Sequence, residues 1–457
     1  MSKILIIYII VFSTGMIRSN IVQIVKGLRD QCLFGKVIGS MQGQKSVHML
    51  AKPIGPRCNL NCTYCFYTEK TALFPQTENY CMSDEVLEVF IRKYIQAQPA
   101  MEVAFVWQGG EPTLLGLEFY QRAVVLQQKY AGGKKITNSL QTNGTLLDDA
   151  WCAFLKEHNF LVGLSMDGPD FIHDRYRRQN DGAPSFQQVM RGLRLLQKHQ
   201  VEYNVLCCIT KEAAYRPDDI YRFFKNAGVK YMQFIPIVER NPDCAAGELG
   251  LHLAVPPAVQ SEIMQADVTE WTVEPEAYGN FLIKVFDRWV RQDVGKIYVM
   301  NFEWALTSWM GLASTVCVFA EHCGESVVME HDGGVYACDH YVYPDYYLGN
   351  ILTAAPGEMA VADKQQKFGL QKSAGLPEYC LECEAKFACQ GECPKHRFLT
   401  TPTGESGLNY LCAGYKKYFR HIHPYMKVMR QLIENGLPAS RVKDAIKGPI
   451  AIKKAGY

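Results

Sequence analysis

The chain has 457 residues, of which 48% are hydrophobic and 21% are charged, and its formal net charge at pH 7 is +2. This length allows two or three domains, and the hydrophobic content is ordinary for a protein with well-buried cores. Because the balanced charges form no long run of one sign, the composition argues against nucleic acid as a partner.

The chain begins with a leader, residues 1–45, in which Lys3 is followed by the apolar run ILIIYIIVF. A positive charge before an apolar stretch is typical of a secretory signal, although this stretch is too short to span a bilayer. Clusters of reduced thiols suit the cytoplasm better than an oxidising compartment. We therefore expect a cytoplasmic protein with no membrane association. We also expect translation to start near Met41, so that the leader is not part of the native protein.

Six strand-like segments alternate with amphipathic segments between residues 46 and 240. The strands are SVHMLAKPI, EVAFVW, KITNSLQT, FLVGLSM, EYNVLCCI and KYMQFIPI, and the helical segments include Asp84 to Gln96 and Phe186 to His199. Alternation of this kind predicts an α/β fold whose parallel sheet has right-handed crossovers. Six units are enough to curve into a partial (β/α)6 barrel, and a flat doubly wound sheet is the alternative. In either case ligands should bind beyond the carboxyl ends of the strands.

Polar and metal-binding groups follow four consecutive strands. CNLNCTYC follows the first strand, QGGEP (Gln108 to Pro112) follows the second, and QTNG (Gln141 to Gly144) ends the third. Ser165 and Asp167 end the fourth strand. Their convergence on one rim predicts a site there.

The remaining chain divides into three parts. Residues 241–310 read as a helical connection, and residues 311–420 as a second domain with short segments punctuated by glycine and cysteine. Residues 421–457 read as a closing helix and a tail that frays.

Eleven of the 17 cysteines fall into tight groups, and we interpret the other six as packing residues. The groups are Cys58, Cys62 and Cys65; Cys317, Cys323 and Cys338; and Cys380, Cys383, Cys389, Cys393 and Cys412. Three thiolates can hold three irons of a four-iron cluster and leave the fourth iron open to a ligand, much as catalytic zinc keeps one position free. A zinc site completed by a distant histidine is the alternative for the first group.

The first group, C-x3-C-x-aromatic-C with Tyr64 as the aromatic residue, resembles the signature of radical S-adenosylmethionine (SAM) enzymes. The resemblance implies that the open iron chelates the methionine portion of SAM. It further implies that Gly109, Gly110 and Glu111 lie near the methionine amino group. Ser165 and Asp167 would then hydrogen-bond the ribose, Arg177 would pair with the SAM carboxylate, and Tyr64 would stack near the adenine. Without the resemblance, GG would mean a tight bend and Arg177 a solvated charge.

The later cysteines resemble the SPASM extension, which carries two auxiliary four-iron clusters. The resemblance implies interleaved ligand sets: Cys317, Cys323, Cys338 and Cys393 for one cluster, and Cys380, Cys383, Cys389 and Cys412 for the other. Each set is complete, which favours electron transfer or a structural role over substrate binding. A pair of zinc ribbons is the alternative.

Asp339 directly follows Cys338 in ACDHYVYP, and residues 51–418 resemble anaerobic sulfatase-maturating enzymes. That resemblance makes Asp339 the base, where the residues alone would suggest a loop hydrogen bond. It implies oxidation of a cysteine or serine in an unfolded sulfatase segment, C/S-x-P-x-R, to Cα-formylglycine, with SAM and three [4Fe-4S] clusters as cofactors. A low-potential donor such as ferredoxin or flavodoxin would supply electrons, and Gln108, Gln141 and Tyr67 are further candidates for contacts at the rim. The rivals are another SPASM-type peptide maturase, forming thioethers or a quinone cofactor, and a zinc-containing binding module.

Overall fold

A computed structural model describes residues 46–77, 79–257 and 267–447. The predicted leader, the proposed start near Met41 and the end of the tail lie outside these residues. In the part of the chain that is described, no helix combines the length and the apolar character that a membrane crossing requires.

All six predicted strands form, and each pairs in parallel with the next along the chain. They are β1 (His48–Lys52), β2 (Glu102–Trp107), β3 (Lys135–Thr142), β4 (Leu161–Ser165), β5 (Glu202–Ile209) and β6 (Tyr231–Pro236). The predicted α/β architecture with a parallel sheet is confirmed. The middle residues of β4 and β5 are buried. Because β1 to β6 lie in chain order, right-handed crossovers place the connecting helices on one face of the sheet.

Helices connect the strands and bury their apolar faces against the sheet. They are α1 (Asp84–Ala97), α2 (Leu117–Tyr130), α3 (Asp149–Glu157), α4 (Asp170–Tyr176), α5 (Phe186–Lys198), α6 (Pro217–Asn226), α7 (Cys244–Glu248), α8 (Pro275–Gln292) and α9 (Met300–Trp309). Helix α1 illustrates how the sequence starts these helices. The Ser83 hydroxyl caps it by accepting a hydrogen bond from the Val86 amide, and apolar residues then recur on the buried face.

The sheet continues across the boundary predicted at residue 310. Strand β8 (Ser326–Glu330) pairs in parallel with β1, so that Lys52 lies opposite Glu330, and β9 (Gly334–Tyr336) and β10 (Tyr347–Asn350) extend the same edge. At the other edge β7 (Tyr298–Val299) pairs with β6. The loops that carry the later cysteines are therefore attached directly to the first strand of the barrel.

The C-terminal part adds a hairpin and several helices. The hairpin is β11 (Arg397–Thr400) with β12 (Ser406–Asn409), and the helices are α10 (Pro356–Val361), α11 (Asp363–Ala374), α12 (Glu378–Leu381), α13 (Lys386–Cys389), α14 (Cys412–Glu434) and α15 (Val442–Lys447). Helix α14 packs on α8 through two glycines: a Cβ atom on Gly414 would lie 1.9 Å from the Pro275 carbonyl oxygen, and one on Gly279 would lie 2.5 Å from the Gly414 carbonyl oxygen. The closing helix thus returns to the barrel.

Alanine at Gly414 should lower the free energy of unfolding by about 1–3 kcal/mol, because the added methyl group must push two helix backbones apart. Gly247→Ala is the matched control, since a Cβ atom there meets nothing within 4 Å. Anaerobic thermal melts of the two variants make the comparison, and equal melting temperatures would show that the helices separate at no cost.

Candidate active site

The loop that follows β1 carries Cys58, Cys62 and Cys65, and neighbouring segments hold it by its backbone. The Asn61 amide donates to the Arg178 carbonyl (2.8 Å), and the Thr63 amide donates to the Tyr176 carbonyl (3.0 Å). These bonds fix the loop against the chain that follows α4.

The QTNG motif holds the same loop from the end of β3. The Asn143 amide group donates to the Asn59 side chain (2.9 Å) and to Cys58 Sγ (3.9 Å), and Asn59 donates to the Thr145 hydroxyl (2.9 Å). The motif therefore positions the cysteine loop, a role that its sequence alone did not reveal.

The three thiols have the chemistry of metal ligands. Burial raises the pKa of Cys58 to about 12, with Glu111 and Cys65 adding repulsion, and burial also raises the pKa of Cys62, to which Cys58 and Cys65 contribute. Adjacent buried thiols of this kind become thiolates when a bound cation compensates their charge. The donor set fits an iron–sulfur cluster.

The two glycines of QGGEP allow a close backbone approach to this loop. A Cβ atom on Gly110 would lie 2.1 Å from the Arg57 carbonyl oxygen, while Gly109 has φ of +143°, which disfavours other residues. The Gly110 and Glu111 amides donate to the Gly55 and Arg57 carbonyls at 2.8 and 3.0 Å. These hydrogen bonds connect the loop after β2 to the segment that precedes Cys58.

Glu111 is fully buried and binds the chain itself. One carboxylate oxygen accepts from the Thr113 amide and hydroxyl and from the Thr142 hydroxyl, at 2.6–3.0 Å, and the other accepts from the Asn143 amide at 2.7 Å. Burial raises its pKa, against the effect of these donors. Glu111 thus joins the ends of β2 and β3 beneath the cysteine loop.

Asp167 and Arg177 form a buried ion pair with each other, with Nε 2.9 Å from Oδ2. Tyr64 donates its hydroxyl to the same oxygen, and the Cys208 amide donates to the other at 2.9 Å. Burial opposes the charge of Arg177, yet Asp167 is strong enough to raise the pKa of the guanidinium. The residues expected to contact the ribose, the SAM carboxylate and the adenine are therefore joined in one network, in which Arg177 also lies 5.4 Å from the Tyr64 ring centre.

Asparagine at Asp167 should cost about 3–5 kcal/mol of stability, because Arg177 would lose the partner of its buried charge. SAM affinity should fall as well, since the single amide oxygen of asparagine cannot accept both from the Cys208 amide and from Tyr64 and Arg177. The exposed pair Arg175–Glu212 on the same helix end is the matched control, where Glu212→Gln should change stability by less than about 1 kcal/mol. Isothermal titration with SAM and thermal melts test both; a stable Asp167→Asn variant with unchanged SAM affinity would contradict the network's role.

Ser165 accepts a hydrogen bond from the Gln141 side chain at 2.8 Å. Gln141 also covers Gly163, where a Cβ atom would lie 2.2 Å from its amide oxygen. The Gln108 side-chain oxygen is buried without a hydrogen-bond partner among the described residues. Both glutamines lie at the carboxyl ends of strands, as expected for rim residues.

Asp339 pairs with a lysine that the sequence did not single out. Lys52 ends β1, and its ammonium forms an ion pair with Asp339 Oδ1 and lies 3.2 Å above the centre of the Tyr67 ring. The Tyr67 hydroxyl lies within hydrogen-bond distance of both Glu330 oxygens, at 2.7 and 2.9 Å, and Asp339 and Cys65 are among the charges that raise its pKa further after burial and Glu330. Asp339 and the three-cysteine loop therefore flank the same tyrosine.

The later cysteines divide into two groups, within each of which neighbouring cysteines raise one another's pKa. After burial, Cys317 and Cys393 raise the pKa of Cys338, and Glu392, Cys317 and Cys323 raise that of Cys393. In the second group burial is again the largest cause. After it, Cys412 and Cys383 raise the pKa of Cys380, Cys412 and Cys380 raise that of Cys389, and Cys383 raises that of Cys412. Cys393 thus lies with the first group although it follows Cys389 by four residues.

Within the described ranges, no three His, Cys, Asp or Glu side chains lie close enough together to enclose one metal ion.

Comparison with known proteins identifies two regions. Residues 53–224 match the family model described as the radical SAM superfamily, and residues 317–384 match an iron-sulfur cluster-binding domain called SPASM. A serine-type anaerobic sulfatase-maturating enzyme of Bacteroides thetaiotaomicron is 46% identical, with 88% of this chain and 96% of the relative covered. A cysteine-type anaerobic sulfatase-maturating enzyme of Clostridium perfringens is 35% identical over 82% of this chain and 96% of the relative.

A solved structure, described as native anSMEcpe with bound AdoMet and Cp18Cys peptide, is also similar. Its sequence is 34% identical, the TM-score is 0.72, and the match covers 84% of this chain and 99% of that one. The similarity therefore extends through both the barrel and the cysteine-rich part.

Proposed function

Because this chain belongs to the anaerobic sulfatase-maturating enzymes of the radical SAM superfamily, we propose that its site oxidises a serine or cysteine of an unfolded sulfatase segment, C/S-x-P-x-R, to Cα-formylglycine. The cofactors are SAM and three [4Fe-4S] clusters. The observation that carries the proposal is the place of Asp339: it follows Cys338, keeps 12% of its side chain exposed, and flanks Tyr67 together with the Cys65 loop.

Each group of cysteines has one place in this proposal. Cys58, Cys62 and Cys65 would hold the cluster with the open iron, and the two sets of four would hold the auxiliary clusters with no iron left open. When bound, the clusters and SAM supply a 5′-deoxyadenosyl radical and a path for electrons.

The chain's own side chains bind the cofactor and take the proton. We assign Gly109, Gly110, Ser165 and the Tyr64–Asp167–Arg177 network to the SAM pocket, with Glu111 fixing its floor. Asp339 accepts the proton of the client hydroxyl or thiol, because it is the carboxylate that remains accessible beside this pocket. We also propose that Gln108 and Gln141, at the ends of β2 and β3, contact peptide or SAM.

We further propose that serine is the preferred client residue. This rests on the relatives: the serine-type enzymes match at 46% and 38% identity, and the cysteine-type enzymes match at 35% or less. The second candidate is another SPASM-type peptide maturase, because its cluster ligands would be nearly the same. Sulfatase maturation is favoured because the similarity covers 96% of the length of sulfatase-maturating relatives.

The electron donor and the compartment belong to the proposal as well. A low-potential carrier such as ferredoxin or flavodoxin in the cytoplasm would suit a protein with this number of cluster-ligating thiols.

The test uses two synthetic peptides that differ only in the target residue, S-x-P-x-R and C-x-P-x-R, incubated anaerobically with reconstituted enzyme, SAM and a strong reductant. Mass spectrometry should find formylglycine in both, formed faster from serine, and none in an A-x-P-x-R control. Faster conversion of cysteine would overturn the client preference. SAM cleavage with both peptides unchanged would overturn the function and favour another peptide maturase.

A further inference from the structure

Lys52 is a buried lysine next to the proposed base. Its side chain is 1% exposed, its ammonium pairs with Asp339 Oδ1, and the face of the Tyr67 ring lies 3.2 Å away. We propose that Lys52 is a positioning residue for the oxidation, which aims the Asp339 carboxylate at the client residue. This inference rests on the function proposed above.

Lys52 is held in place from three sides. It ends β1, which is paired on one side with β2 and on the other with β8, so its backbone lies in the middle of the ten-stranded sheet. The Tyr67 ring that faces the ammonium is itself fixed by its hydroxyl, which lies within hydrogen-bond distance of both carboxylate oxygens of Glu330, the residue opposite Lys52 in β8. The ammonium therefore has a defined position before any client binds.

Asp339 depends on this lysine for its orientation. It begins the short turn Asp339–Tyr341, which has no side-chain cap, and among the described residues Lys52 is the polar partner of its carboxylate. Oδ1 is buried against Lys52, while 12% of the Asp339 side chain stays exposed. The pair also joins the barrel to the cysteine-rich part of the chain at the site itself.

Two other lysines nearby cannot replace Lys52, because each has a different partner. Lys395 pairs with Glu239 at 2.5 Å, and the Lys70 ammonium lies 3.4 Å from the centre of the Tyr343 ring. Both are near enough to His340 to join Lys52 in lowering its pKa after burial. Among the described residues, Lys52 is the lysine that forms an ion pair with Asp339.

The oxidation removes one hydrogen atom from the client Cβ, one proton from its hydroxyl or thiol, and one electron. SAM and the auxiliary clusters, when bound, would supply the acceptors for the hydrogen atom and the electron, and Asp339 takes the proton. A serine client then carries the aldehyde, whereas a cysteine client carries a thioaldehyde that water hydrolyses to the aldehyde with release of hydrogen sulfide. A misdirected carboxylate impairs the proton transfer, whereas peptide binding depends on other contacts. Loss of Lys52 should therefore lower kcat and leave the peptide KM nearly constant.

The experiment compares Lys52→Met, Lys52→Arg and the control Lys93→Met in the full-length holoenzyme. Lys93 also ties the barrel to the later chain, through hydrogen bonds to the carbonyls of Ile351, Leu352 and Ala354. We expect Lys52→Met to lower kcat about 10²-fold, as small misplacements of catalytic groups do, with peptide KM within about twofold. Its ratio of 5′-deoxyadenosine to formylglycine should rise. Lys52→Arg should recover part of kcat, and Lys93→Met should keep the wild-type kcat.

A double-mutant cycle keeps the test decisive if Lys52→Met folds poorly. When Lys52 acts through Asp339, Lys52→Met should add nothing to the loss in kcat already caused by Asp339→Asn. Additive losses, an unchanged kcat, or a parallel loss of peptide binding and iron would overturn the inference. Formylglycine formation by the wild-type enzyme serves as the separate check, because its absence would overturn the proposed function instead.

Discussion

Asparagine in place of Asp339 is expected to lower formylglycine formation by about 10²- to 10⁴-fold, the usual contribution of a general base. The amide is nearly isosteric with the carboxylate but accepts no proton from the client. The proposed function assigns iron binding and SAM binding to the cysteine loops and the Asp167 network, so iron content and SAM cleavage should both persist. Quantitative mass spectrometry of the peptide and chromatography of 5′-deoxyadenosine measure the two outcomes in one reaction.

The matched control is Asp345→Asn, which changes an exposed aspartate six residues further along the same segment. It should keep the wild-type rate. Because Asp339→Asn also leaves the buried Lys52 without its counter-ion, its melting temperature should fall, and Lys52→Met in the same chain should restore part of it. Full turnover by Asp339→Asn would remove the residue from the role of base.

Alanine at Cys58, Cys62 and Cys65 together is expected to abolish SAM cleavage and peptide oxidation. The three thiols are the proposed ligands of the cluster with the open iron, so iron and sulfide should fall by about one third, leaving the two auxiliary clusters. Iron and sulfide analysis after anaerobic reconstitution measures this directly.

Cys152→Ala is the control for this variant, since Cys152 is a buried cysteine outside all three groups. It should retain full iron content and SAM cleavage. Loss of all iron from the triple variant would mean that the clusters do not assemble independently, and unchanged iron would mean that the three cysteines hold none.

The sequence predicted the parts of this molecule that depend on local pattern. Six strands and the rim motifs follow from apolar runs and their ends, and predicted boundaries such as Asp84 to Gln96 differ from helix α1 by one residue. The motif CNLNCTYC indicated its chemistry because ligand spacing is itself a local property.

Contacts between distant segments were not predictable in this way. The pairing of β8 with β1 brings Glu330 opposite Lys52, although 278 residues separate them. Nothing in SVHMLAKPI marks its lysine as the partner of Asp339, because a lysine at a strand end is usually solvated. The resemblance likewise assigned Asp167 and Arg177 to SAM one by one, whereas the structure joins them in an ion pair.

The most direct test of the central claim is the fate of a Cβ-deuterated serine in an S-x-P-x-R peptide. The wild-type enzyme is expected to form one 5′-deoxyadenosine carrying deuterium for each formylglycine. Formylglycine without deuterium in 5′-deoxyadenosine, or labelled 5′-deoxyadenosine with no formylglycine, would contradict it.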